Sequence, residues 1–415
     1  MKNIISLFIL AFLFASCNES KTVTVTVSNT LPIDRVNEMV EVPMNEVVTL
    51  LQLASHEQFV VNDAEGKEVA YQVTAGEQLI FPVAVAANGT ATYTIQKGTP
   101  ADVQVIACGK HYPERVDDIA WENDLVAFRA YGPALQYKGE KAYGYDVWNK
   151  YNTSEPVVEA RYAMELNPET VAQIDSLKKV NPDAAAQLYA SVSYHVDHGN
   201  GMDCYKVGPT LGGGTAALMV DGNIIYPYCY KNFEILDNGP LRFTVKLEYN
   251  PLTVKDNSNV IETRTISLDA GSHMNKVVLS YAGLNEATDV ATGLVLHEPD
   301  GVAVLKAEAG AGYITYVDPT DNAAAGNGKI FVGAAFPNSV KEAKALYFSK
   351  EEREKERGGA DGHVLAISEY TPGSEYTYYF GSAWSKAAIS EITAWNDYVA
   401  DFAKKVRNPL SVTIK

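Results

Sequence analysis

The chain reads as a mostly-β protein. A small N-terminal β-sandwich is followed by a large antiparallel β-sandwich (supersandwich-like) with a few helical insertions and a C-terminal helix. Three observations predict this class. Short runs alternate apolar and polar residues, most clearly Thr22-Val-Thr-Val-Thr-Val27, which is the period of a half-buried strand. Turn signals such as Ala64-Glu-Gly-Lys67 and Ala87-Asn-Gly-Thr90 separate the runs. Tyrosine is abundant, at 25 residues, which suits strands and equally suits the stacking of sugar rings.

Residues 1–20 are expected to be a processing segment outside the fold. Lys2 supplies the positive start and Ile4 to Phe14 the apolar stretch. Phe14-Ala-Ser-Cys17 then reads as a lipobox, with Cys17 the lipidated residue of an exported protein. The apolar stretch is short for a membrane span. Residues 21–100 make the small sandwich, with strands expected at Thr22–Val27, Val36–Val42, Val47–Leu53, Gln58–Val61, Val69–Val73, Gln78–Pro82 and Thr92–Gln96. Lys97-Gly-Thr-Pro100 marks the boundary. Residues 101–415 carry the larger sandwich, with strand-like runs from Leu125–Tyr131 to Glu375–Gly381. Asn167–Ala190, broken at Asn181-Pro182, predicts two short helices, and Glu351–Arg357 a solvated loop or short helix. In Ser390–Val406, Ile392, Trp395, Val399, Phe402 and Val406 fall at helical spacing, with Ser390 placed to cap. Leu410–Ile414 returns as a strand.

The net charge of −17 argues against nucleic acid or an anionic membrane as partner, so any membrane contact is through the lipid. An acidic substrate would then need a local basic pocket. Besides Cys17, Cys108, Cys204 and Cys229 allow at most one disulfide, and their spacing fits no zinc pattern.

The densest functional stretch is Tyr194 to Gly208, where two of the seven histidines, two aspartates, two tyrosines and a lysine share a glycine-bent segment. A second, Pro113 to Asp124, leads into Phe128-Arg-Ala-Tyr-Gly-Pro133, and the two stretches are expected to meet. His195-x-x-His198 could hold a divalent metal with Asp197 or Asp203, but no third ligand is evident, so no cofactor is assigned. One histidine acting in proton transfer is the alternative favoured. Arg129 and Tyr131 lie two apart on a strand and so share a face; Asp146 and Trp148 do the same. Arg129 could fork onto a carboxylate or pair with Asp117, Asp118, Glu122 or Asp124. Trp148 could stack on a sugar, while Asp146 could bind a hydroxyl or anchor Arg129. Trp121 reads as core. Gly208-Pro-Thr-Leu-Gly-Gly-Gly-Thr215 lacks the ending of a phosphate loop and reads as a close backbone approach. Leu268-Asp-Ala-Gly-Ser-His-Met-Asn-Lys276 reads as mainly structural.

Together, Pro113-Glu-Arg, Asp117-Asp-x-Ala-Trp-Glu-Asn-Asp124, Ala127-Phe-Arg-x-Tyr-Gly-Pro-Ala134, Asp146-Val-Trp148, His195-x-Asp-His-Gly199, Asp203-x-Tyr-Lys-Val-Gly208 and Leu268-Asp-Ala-Gly271 resemble the exported Bacteroidota family of domain of unknown function 4861. The resemblance covers the mature chain. It implies a lipoprotein of polysaccharide utilisation, related to an oligosaccharide dehydratase of the ulvan pathway, and a β-sandwich fold. It implies no assignment of catalytic residues.

Such a dehydratase removes water from a non-reducing-end uronic acid to give a 4,5-unsaturated sugar. Abstracting the C5 proton requires a neutralised carboxylate, a base, and an acid for the departing O4. On the residues, Arg129 is the expected neutraliser and His195 or His198 the base. Tyr131 or Tyr205 is the acid, with Lys206 a further cation and Trp148, Asp146 and Asp203 binding the acidic oligosaccharide. A lyase would expel a sugar by the same elimination. A glycoside hydrolase would need a carboxylate pair such as Asp146 and Asp203, and a non-catalytic glycan-binding lipoprotein would need neither histidine. The expected location is the periplasmic side of the outer membrane, since Cys17 to Lys21 holds a single acidic residue.

Overall fold

The computed structural model describes residues 21–415 except Ala309; the leader and Cys17 lie outside the described residues. The fold is mostly β, with several antiparallel sheets and a C-terminal helix. Near the N-terminus, two sheets face each other. One runs in the order Ser411–Ile414, Thr22–Ser28, Thr90–Lys97, Phe59–Asn62, Glu68–Val69, and the other Arg35–Pro43, Gln78–Val85, Gln72–Val73. Val23, Val25 and Val27 all point into the core between them, as period-two alternation requires, and meet Val42, Phe81 and Ile95. The expected strand Val47–Leu53 is instead the helix Met44–Leu51. Val47 and Leu51, four apart, are its buried residues, so a helical stripe wins over a β-branched composition.

A nine-stranded sheet and a five-stranded sheet enclose the main core. The five-stranded sheet contains Gly213–Val220, Thr288–Leu296 and Gly362–Tyr370 at its centre. A further five-stranded sheet runs in the order Gly201–Asp203, Asp146–Lys150, Ala127–Ala130, Asp118–Glu122, Cys108–Tyr112. It packs on the nine-stranded sheet by stacking Trp121 on Phe243 (centroids 6.2 Å apart) and setting Phe128 edge-on to Phe380 at 5.3 Å. Trp121 is therefore core. The glycine-rich run makes the close approach the sequence suggested. A Cβ on Gly212, at φ +56°, would stand 2.4 Å from the Tyr145 carbonyl, and Gly213 N–H donates to that same carbonyl at 2.9 Å.

The helices Val158–Glu165, Pro168–Val180 and Pro182–Val192 lie between the strand Asp146–Lys150 and the Tyr194–Gly208 stretch. Asn167 and Asn181 cap the second and third. The C-terminal helix Ile392–Arg407 buries Trp395, Val399 and Ala403 against Val317 and Phe331 of the nine-stranded sheet. Ser390 does not cap it; Glu391 stands at that position without a side-chain bond. Cys108, Cys204 and Cys229 are all free thiols. Among the described residues no helix is long and apolar enough to cross a membrane.

Candidate active site

The two singled-out stretches meet at the edge of the Gly201–Cys108 sheet. Arg129 faces Asp146 across the ladder, and Trp148 faces Asp203 on the next strand. Gly201 makes this last pairing feasible, because a Cβ there would stand 2.2 Å from the Asn149 carbonyl. Arg129 Nη2 donates to Asp203 Oδ2 at 2.7 Å and also ion-pairs with Asp146, while Nη1 donates to the Tyr162 hydroxyl at 3.0 Å. Asp118 lies 3.8 Å from Nε. Arg115 adds a second cation, 3.7 Å from Asp118, and donates to the Tyr194 hydroxyl at 2.9 Å.

All three carboxylates and Arg129 are buried. Two guanidinium groups against three carboxylates cannot neutralise the cluster if every acid is ionised. Burial, opposed by Arg129 and Arg115, pushes Asp118 up to about 6. Burial also raises Asp146, against the pull of Arg129 and with the push of the Asp203 charge. Burial thus shifts both acids toward their protonated forms.

Three expectations need correction here. Arg129 is not available to a substrate carboxylate: it is 3% exposed and already holds Asp146, Asp203 and Tyr162. Trp148 cannot stack on a sugar, because it is buried with Tyr194 parallel to it at 5.1 Å and Tyr162 edge-on at 5.3 Å. Asp146 and Asp203 likewise turn inward onto Arg129, so neither offers its carboxylate to a ligand.

His195 stands at the surface of this buried cluster, 44% exposed. Its Nδ1 lies 3.0 Å from the Asp203 carbonyl, a partner that can only accept, so Nδ1 carries a proton and in the neutral ring the lone pair is on Nε2; the Asp203 carboxylate is 3.9 Å from Nδ1. The loop is held from beneath by buried Arg161, whose Nη2 donates to the Ser193 and Val196 carbonyls at 2.6 and 2.7 Å. His198 is exposed and turns to the Ser193 carbonyl at 3.1 Å, away from Arg129. Asp197 is taken by Lys386 and the Tyr151 hydroxyl. Among the described residues no group of three His, Cys, Asp or Glu side chains is placed to hold a metal ion.

Tyr131 is partly exposed, with its ring 5.0 Å from the Arg129 guanidinium and its hydroxyl 3.4 Å from Nη2. Burial raises its pKa well above the ordinary value, so it keeps its proton. Tyr205 is buried, and its hydroxyl has no hydrogen-bond partner among the described residues. Burial first, then the charge of Asp318, holds it protonated. Lys206, the next residue, is exposed and donates to the Gly358 carbonyl at 2.6 Å; no carboxylate pairs with it among the described residues.

Sequence reading missed a second ionisable pair. His297, at the end of the strand Thr288–Leu296, sets Nδ1 2.6 Å from Oδ2 of buried Asp318, while Thr320 N–H donates to Oδ1 at 2.9 Å. The Tyr205 ring lies against His297 at 6.3 Å. Asp321 N–H donates to the Cys204 carbonyl at 3.0 Å, which brings the Asp318–Asp321 turn alongside Asp203. A signal existed: Leu296-His-Glu-Pro299 and Asp318-Pro-Thr-Asp321 both put ionisable residues at strand ends beside a proline.

The sequence model of the family described as Domain of unknown function (DUF4861) matches residues 27–412. A relative from Formosa agariphila, named Uncharacterized protein P7, is 25% identical over 442 aligned positions that cover the whole of both chains. Among solved structures, a protein in the glycosyl hydrolase family 38 from Enterococcus faecalis superimposes with a TM-score of 0.47 at 7% identity, covering 95% of this chain and 47% of its own. An alpha-mannosidase from Enterococcus faecalis V583 gives 0.43 at 8% identity, covering 95% and 46%. The chain spans about half the length of these two proteins.

Proposed function

The chain belongs to the family of domain of unknown function 4861, and we propose that it is a carbohydrate-active enzyme, a dehydratase acting on the non-reducing-end uronic acid of an oligosaccharide. The observation that carries this reading is the setting of His195. A ring fixed by its Nδ1 proton on the Asp203 carbonyl presents Nε2 to solvent above a buried charge cluster, and Tyr131 rests on the Arg129 of that cluster. That is the equipment of an elimination rather than of a displacement at a sugar carbon. His195 Nε2 takes the C5 proton, the electron pair forms the C4–C5 double bond, and O4 leaves as water after taking a proton from the partly exposed Tyr131, the Tyr205 hydroxyl being buried. Lys206, the cation of this stretch without a carboxylate partner, is assigned to the substrate carboxylate in place of Arg129.

A glycoside hydrolase is disfavoured, because Asp146 and Asp203 both hold Nη2 of Arg129 instead of flanking an open bond. The reading includes an exported, lipid-anchored protein on the periplasmic side of the outer membrane, with an acidic oligosaccharide as its partner. His195→Asn keeps an amide donor for the Asp203 carbonyl and removes Nε2. It should lose at least about 100-fold in elimination rate, the scale of a proton-transfer group, with an unchanged melting temperature. Full activity in this variant would exclude His195 as the base.

A further inference from the structure

We infer that His297, held by Asp318, is a second proton-transfer residue of this site and the one that returns a proton to the departing oxygen. The inference rests on the elimination reading above and puts His297 in place of a tyrosine as the acid for O4.

The two histidines are built differently. The Nδ1 of His195 bonds a backbone carbonyl at 3.0 Å, with the Asp203 carboxylate 3.9 Å away and already held by Arg129, whereas that of His297 meets a carboxylate directly at 2.6 Å. Asp318 is completely buried, so its charge has few partners besides this ring and the Thr320 N–H. It supplies the counter-charge for an imidazole carrying both protons, which is the form that can donate from Nε2. Nε2 of His297 makes no hydrogen bond among the described residues, and the side chain keeps 14% exposure, so it is not sealed into the core.

Tyr205 links the pair to the rest of the site. Its ring lies edge-on to His297 with centroids 6.3 Å apart, and its buried hydroxyl has no hydrogen-bond partner among the described residues. Asp321, three residues beyond Asp318, donates its N–H to the Cys204 carbonyl at 3.0 Å, next to the Asp203 carbonyl that holds His195. The two histidines are thus tied to one short segment, His195 at the Asp203 carbonyl and His297 against the Tyr205 ring, with a carboxylate bonded directly only to His297. An elimination can use this division. His195 receives the C5 proton, the C4–O4 bond breaks, and His297 gives its Nε2 proton to O4, so that water leaves and no oxidant or reductant is needed.

The test compares the wild type, His195→Asn and His297→Asn in deuterated water with an oligosaccharide ending in glucuronic acid. Water loss and deuterium entry at C5 are both followed by mass spectrometry. Asparagine at 297 keeps a donor for Asp318 and removes Nε2; should that variant not fold, His297→Gln is read the same way. His297→Asn is expected to lose at least about 100-fold in water loss while still exchanging C5 hydrogen, whereas His195→Asn loses both. Water loss within about threefold of wild type in a folded His297 variant would overturn the inference, as would loss of C5 exchange in that variant alone. A wild type that turns over no uronate-ended oligosaccharide would defeat the elimination reading separately. His297 is then judged by its ring resonances: a shift on adding the oligosaccharide keeps it in the site, and unmoved resonances remove it.

Discussion

Arg129 is the residue on which the site's electrostatics turn. Its guanidinium satisfies two carboxylates and a tyrosine hydroxyl at a buried position, so truncation leaves uncompensated buried charge. Arg129→Ala should cost about 3–5 kcal/mol, seen as a lowered denaturation midpoint whether or not substrate is present. Arg129→Lys should rescue only part, since an ammonium cannot fork across the same partners. A loss of activity with unaltered stability would contradict this structural role. Asp118 gives a pH test. Its folded pKa, raised to about 6 by burial, lies above the unfolded value near 4. Its contribution to stability is therefore full below about pH 4 and lost as pH rises through about 6. Melting temperature of the wild type relative to Asp118→Asn should fall over that window, and a constant difference would contradict the assignment. The sharing of a face by Arg129 and Tyr131 was legible from their spacing. That Arg129 is closed to substrate was not, because three carboxylates reach it from three different strands. His297 was missed for the same reason: its partner Asp318 is twenty-one positions away, and only the sheet brings them together.

Among the elements, the short strand Gly201–Asp203 and the loop before it decide where His195 stands. Gly201 has φ +127° and backs directly onto Asn149 and Lys150. Gly201→Ala should destabilise by more than about 1 kcal/mol and should displace Asp203, and with it the carbonyl that orients His195. Thermal melts alongside elimination rates check this; a variant as stable and active as wild type would show that the strand tolerates the shift. The glycine-rich close approach and the C-terminal helix were readable from local pattern, since each depends on spacing or on the absence of a side chain. The helix Met44–Leu51 was not. Its Val-Val-Thr-Leu-Leu composition favours strand, and only packing of Val47 and Leu51 on the sandwich selects the helix.

Across the whole molecule, the two ends of the chain are joined. Ser411–Ile414 pairs antiparallel with Thr22–Ser28, and buried Arg35 donates to the Asn408 carbonyl at 2.5 Å, so the last residues complete the first sheet. Ending the chain at Leu410 should expose Thr22–Ser28 as an unpaired edge, lowering the melting temperature and promoting aggregation; an equally stable, monodisperse truncation would contradict that. Periodicity showed a returning strand but not its partner, because register between strands almost four hundred residues apart leaves no local trace. The proposed chemistry is tested most directly by incubating the purified protein with oligosaccharides ending in glucuronic or iduronic acid. Ultraviolet absorbance of an unsaturated uronate is followed together with product mass. The dehydratase assignment predicts new absorbance with loss of one water and no chain cleavage. Absorbance with shorter products would make the protein a lyase, and binding without any absorbance change across the acidic panel would contradict catalysis by elimination.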